Sequence, residues 1–230
     1  LKNNRNNQKS WVYNAARQLA GGLLVALMAL AVSGVANAQE KKDEITFNLV
    51  PNPDTVGCLR ANSYEEPRAR ATVIRGKSND TLILDLDGIK PGLAFDLFTI
   101  QRSPLLADGS KDPAFTNVFN GSFGLAWYQS DIQIEQSDNG HVRIKTILLD
   151  DIFGFDPDVH LAPTNTFHVG FWFDDPNAAK DCNFDPTKPK PFNGEHKSGP
   201  LAMISLPDAK TGLGPLCTNP DNTTTPATCK

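Results

Sequence analysis

His168, Gly170 and Trp172 occupy alternate positions of the stretch Phe167 to Phe173 (FHVGFWF). In an extended chain such positions share one face, so an imidazole and an indole would stand on either side of the gap that glycine leaves. Exposed ring faces of this kind stack on sugars or aromatic ligands, and Tyr128 in FGLAWYQSD (123–131) would extend the same patch. His168, Trp172 and Tyr128 are therefore the candidate ligand-binding residues, with a carbohydrate or a surface protein as partner. The competing structural reading has a second layer covering this face, because the stretches 103–120 and 176–200 are long enough to reach it.

Two further sets could hold metal. Asp150, Asp151, Asp156 and Asp158 lie within nine residues around Ile152-Phe153-Gly154-Phe155, and carboxylates on a loop are the hard ligands calcium prefers. Their spacing departs from the EF-hand loop, which places glycine sixth and glutamate twelfth, and turn-forming Asp-Pro segments carry the same residues without a metal. The four histidines (His141, His160, His168, His196) include no H-x-H, H-x-x-x-H or H-E-x-x-H, so a transition-metal site would have to gather ligands from separate loops. The candidate metal ligands are then Asp156, Asp158, His160 and His196. Glu195-His196, placed after the turn residues Asn193-Gly194, could also act as acid and base, although a solvated loop tip has the same composition.

Signatures of covalent or phosphoryl chemistry are missing: neither G-x-S-x-G nor G-x-x-x-x-G-K-[ST] occurs. A carboxylate pair such as glycosidases use can lie anywhere in a chain, so a metal-assisted or carboxylate hydrolase stays open as an alternative. The leading expectation is a non-enzymatic module that binds an extracellular or cell-surface ligand, with a structural cell-surface or matrix component as a third reading. No motif demands a cofactor. Calcium or a transition metal are the ones the side chains would accept.

The elements that must position these residues are strands. Leu82, Leu84 and Leu86 alternate with polar residues in TLILDLD (81–87), and Ile45, Phe47 and Leu49 alternate in the same way. Gly88-Ile89-Lys90-Pro91-Gly92 predicts a corner between strands. The apolar phase slips between Trp127 and Ile132, which predicts a bulge near Gln129 to Asp131. Ser137-Asp138-Asn139-Gly140 reads as a tight hairpin turn, and Val142, Ile144, Thr146 and Leu148 return from it. Phe167, Val169, Phe171 and Phe173 face the core, and Pro176 to Lys180 is a single helical turn capped by Asp175. The expected fold is all-β, an Ig-like or jelly-roll β-sandwich with long loops and two disulfides.

The 230 residues are 40% hydrophobic and 21% charged, with 17 Gly and 17 Pro, which excludes a disordered chain, a collagen-like repeat and a coiled coil. Residues 1–38 carry Lys2, Arg5, Lys9 and Arg17 but no acid, then the apolar run Leu19 to Val32 and the small residues Ala36-Asn37-Ala38. This is the plan of a secretory signal peptide cut after Ala38. The run is shorter than the roughly 20 residues that span a bilayer, so no stable membrane anchor is expected after cleavage, and the product is expected in the medium or the periplasm. Residues 39–230 form one domain with a C-terminal tail (217–229). They hold 18 basic and 26 acidic side chains, a balance that argues against nucleic acid as a partner.

All four cysteines (Cys58, Cys182, Cys217, Cys229) fall in this second part, where export would oxidise them. Three pairings are open. The polar stretch between Cys217 and Cys229 favours joining those two, which leaves Cys58 for Cys182. Zinc is disfavoured because no C-x-x-C occurs.

The blocks NDTLILDLDGIKPGLAFDLFTIQ (79–101), FGLAWYQSD (123–131), TFHVGFWFDD (166–175) and PFNGEHKSG (191–199) resemble a group of secreted bacterial proteins of unknown function. The resemblance covers most of residues 44–216. It implies one compact module and carries no activity or site residue.

Overall fold

Period-two alternation sets the architecture strand by strand. Its clearest case is β3 (Asn79–Asp87), where Leu82, Leu84 and Leu86 are buried and the residues between them are half-exposed. The computed structural model describes residues 44–62, 65–76, 79–115, 123–124, 126–138, 140–149, 165–187, 198–217, 220–221 and 228–229, all inside the unit Lys41–Lys230. The expected signal peptide, 1–38, lies outside them.

The other strands are β1 (Glu44–Pro51), β2 (Arg68–Ile74), β4 (Ala94–Ile100), β5 (Ala126–Gln133), β6 (Val142–Leu149), β7 (Thr166–Phe173), β8 (Leu201–Ser205) and the two-residue β9 (Leu216–Cys217), β10 (Pro220–Asp221) and β11 (Thr228–Cys229). Helix is confined to α1 (Val56–Leu59) and to 3-10 turns at Gln136–Asp138 and Pro176–Cys182. Asp175 caps the second turn by accepting from the Asn177 N–H at 2.8 Å, as its sequence predicts.

Eight strands join in one antiparallel sheet in the order β5-β4-β7-β8-β1-β2-β3-β6, with β9 added against β7; β10 and β11 pair separately. The end strands β5 and β6 come into contact without pairing, so the sheet is nearly a barrel. The all-β expectation holds, but the Ig-like or jelly-roll sandwich is not confirmed. Three residue pairs between β1 and β8 join the two four-stranded halves into a continuous sheet.

Asn-Gly at 139–140 does not make a tight hairpin either. β5 pairs with β4 and β6 with β3, so the chain crosses from one half to the other between them. This crossing docks on the corner 88–92, where the Ile89 N–H donates to the Gly140 carbonyl and the Gly92 N–H to that of Ile134, at 3.3 and 2.7 Å. Gly88 and Gly92 sit at φ 71° and 86°, the left-handed region that glycine enters freely. The predicted bulge is present: Leu97 faces Ser130 and Phe98 faces Tyr128, which leaves Gln129 as the extra residue.

Each face of the sheet has its own core. Inside the barrel, Leu82, Leu84, Phe95, Leu97, Phe171 and Phe173 pack together, with the Phe95 ring 5.0 Å from Phe171 and 5.2 Å from Phe173. On the outer face of β4, β7 and β8 a second cluster gathers Phe98, Ile100, Trp172, Leu201 and Ile204 under Leu105 and Phe123.

Among the described residues one disulfide is seen with both of its cysteines. Cys58 bonds Cys182 with their α-carbons 6.0 Å apart, tying α1 to the 3-10 turn that follows β7. Closing 124 residues in this way stabilises the fold by about 5 kcal/mol in the loop-entropy account. The side chain of Cys229 lies outside the described residues.

Candidate functional site

The predicted patch on β7 is buried. His168 and Trp172 lie on the face opposite Phe167, Val169, Phe171 and Phe173, as alternation requires, but both are 0% exposed. What covers Trp172 is the excursion after β4: Phe123 lies edge-on at 5.6 Å and Phe115 packs on Phe123 at 4.7 Å, while Phe98 of the neighbouring β4 flanks the indole at 5.4 Å. An indole facing water would have left these rings exposed too, so burial of the whole cluster wins. Tyr128 joins from β5, its ring 5.6 Å from Phe98. Trp172 and Tyr128 therefore meet through Phe98, as packing.

Tyr128 keeps its polar end half-exposed, donating to Asp131 Oδ1 at 2.7 Å. Burial, that hydrogen bond and the nearby charges of Asp131, Asp96 and Asp174 push its phenol pKa up. His168 packs elsewhere on the same face. Its Nδ1 donates to the Ser205 carbonyl at 2.8 Å, while Nε2 is buried with no hydrogen-bond partner. Burial lowers its pKa from 6.5 to about 4, against a weaker upward pull from the Ser205 carbonyl. A neutral imidazole sealed in this way is not placed to touch a ligand from solvent.

Of the metal candidates, Asp156, Asp158 and His160 lie outside the described residues, as do Asp150, Asp151, Glu195 and His196. Among the described residues no three His, Cys, Asp or Glu side chains are grouped to hold a metal ion. No described helix is long and apolar enough to cross a membrane.

The opening that sequence reasoning missed lies over the outer cluster. A cleft of about 350 Å³ is bounded by Leu105 and Phe115 of the excursion, by Phe184, Pro200 and Leu201 opposite, and by Asn52 and Asp54 after β1. Phe123 and Trp172 back it. The excursion is a closed turn: Leu105 bridges Lys111, and the Leu106 N–H donates to the Ser110 carbonyl at 2.8 Å. At the mouth, Lys111 Nζ lies 2.5 Å from Asp54 Oδ1, both side chains more than half exposed. The disulfide holds the far side in register, since Cys58 follows Asp54 by four residues and Phe184 follows Cys182 by two. Nothing local in the sequence announces this cleft; it is assembled from four separate segments. The nearest signal was the length and aromatic content of 103–120.

A second, wider groove of about 470 Å³ crosses the ends of β1, β2 and β3. Arg68, Arg70, Asp85 and Asp87 line it with balanced charge, and Arg68 already pairs with Asp87.

The chain matches no protein-family model, no curated protein and no solved structure.

Proposed function

We propose that the protein is an exported, non-catalytic binding module that takes a small ligand in the cleft backed by Phe123 and Trp172. The observation that carries this reading is the cleft itself: about 350 Å³, walled by Leu105, Phe115, Phe184 and Leu201, with Asp54, Lys111 and Asp112 as its charged lining residues. Ligand pockets occupy this size range and have this distribution of polarity. In this reading Trp172 supports the wall of the cleft and does not offer the solvent-facing indole that alternation suggested. Export rests on the leader-like residues 1–38 and on the Cys58–Cys182 disulfide, which suits an oxidising compartment. A second bridge, Cys217–Cys229, belongs to the same proposal and would close the tail.

The test is a titration of the purified protein with N-phenyl-1-naphthylamine, whose fluorescence rises on entering an apolar site. Saturable binding of one probe per protein is expected, weakened at least about tenfold by Pro104→Trp, which fills the cleft from its rim. Unfolding in urea checks that the variant is folded. Probe binding that never saturates, or that ignores Pro104→Trp in the folded protein, removes this reading.

A further inference from the structure

The polar groups around the cleft are few, and each already holds at least one bond within the protein. Asn52 Nδ2 donates to the Leu201 carbonyl at 3.0 Å, and its Oδ1 accepts from the Asp54 N–H at 3.2 Å. Thr55 Oγ1 donates to the same Leu201 carbonyl at 2.8 Å. Asp112 Oδ1 accepts from the Ala114 N–H at 2.8 Å, its own N–H goes to the Pro104 carbonyl at 2.9 Å, and Lys111 holds Asp54. The remaining lining is Pro104, Leu105, Phe115, Phe184, Pro200 and Leu201 in front of the two backing rings.

A sugar ring seated here would bury several hydroxyls against hydrocarbon. Each buried hydroxyl without a partner is costly, and against Pro104, Leu105, Phe115, Phe184, Pro200 and Leu201 a hydroxyl meets no side chain that can serve it. A hydrocarbon body meets no such cost and gains with every methylene it removes from water.

We infer that the ligand of this cleft is a small hydrocarbon-bodied molecule, aliphatic or aromatic, with any polar end kept at the mouth beside Lys111 and Asp54, and is not a saccharide. The inference rests on the cleft being the binding site. At about 30 Å³ per heavy atom the cleft holds roughly ten to twelve such atoms.

Displacement of bound N-phenyl-1-naphthylamine by linear alcohols from butanol to tetradecanol tests both chemistry and size. Affinity rises about fourfold per methylene, then levels off near ten to twelve carbons. Phe184→Ala, which removes one wall, moves the plateau to longer chains. Methyl glucoside and cellobiose fail to displace the probe at a hundred times the decanol concentration. Displacement by either sugar at concentrations comparable to decanol overturns the inference, as does an affinity independent of chain length. If the probe itself does not bind, the cleft reading fails first and this inference falls with it.

Discussion

The two halves of the sheet solve the same problem in opposite ways. On β2, β3 and β6 one face is buried and the other meets water: Leu82, Leu84, Ala71 and Val73 point inward, while Arg68, Arg70, Asp85, Arg143 and Lys145 line the outside. On β4, β7 and β8 nearly every residue is buried, whichever way it points. The first half needs only its partner half for a core. The second needs an additional layer, and the excursion after β4 supplies it with Leu105, Phe115 and Phe123. A sheet face clothed by an irregular loop is where a cleft forms, because a loop's side chains follow no period that would let them interdigitate fully. The groove on the charged half is lined by Arg68, Arg70, Asp85 and Asp87, whereas the covered half has the candidate site with its aromatic wall.

Removing Trp172 tests that contrast most severely. If the outer cluster is a true second core, Trp172→Ala destabilises the protein by about 3 to 5 kcal/mol in urea unfolding, the range for deleting a large buried side chain. Ile83→Ala, on the half-exposed outer face of β3, should cost under about 1 kcal/mol. A loss below about 1.5 kcal/mol for Trp172→Ala would mean that the excursion is a loose cover and that the halves differ less than their burial indicates.

The same contrast decides what the sequence could reveal. Strict alternation on β3 and β7 made the inner core readable, and the slip after Trp127 pointed to a bulge near Gln129 to Asp131, where the register shift is found. Closure was less legible. Asn139-Gly140 favours a tight hairpin locally, but β5 and β6 each found a better partner in β4 and β3, and long-range pairing overrode the turn signal. The direction of the outer face of β7 is as alternation predicts, and of the two readings of its surroundings the covering layer is the one found, not the exposed patch. Alternation gives the side on which His168 and Trp172 stand, yet whether that side is wet depends on Phe115 and Phe123, which are distant in sequence. For the same reason the cleft, drawn from segments near residues 52, 105, 184 and 201, has no local signature.

Acid provides a milder test through two histidines. His141 lies exposed beside β6 with Nδ1 2.5 Å from Asp87, whereas His168 is sealed on β7. Because burial holds His168 at about 4 in the folded protein against 6.5 ordinarily, the unfolded chain binds the extra proton between those values. Its contribution to stability is complete above pH 6.5, falls as pH drops toward 4, and is then exhausted. The loss between pH 7 and pH 5 amounts to about 2 kcal/mol. His168→Asn keeps an N–H for the Ser205 carbonyl and does not titrate, so its stability should decline less than that of the wild type over this interval. Parallel curves for the two proteins would show that His168 reaches water, and that the covered half is more open than its packing implies.

The smallest effect is expected on the charged half, where Arg143 Nε stands 3.4 Å from Asp85 Oδ1 across β3 and β6. Both side chains are well exposed, so water and salt screen the pair and its two partners lose rotamer freedom in forming it. A double-mutant cycle with Arg143→Ala and Asp85→Ala should give a coupling below about 0.5 kcal/mol that fades further in high salt. A coupling near 2 kcal/mol would break the comparison from the other side. The outer face of β3 and β6 would then be held by its charges as firmly as the outer face of β7 is held by its rings, and the open half could no longer be treated as a wet surface that merely tolerates its side chains.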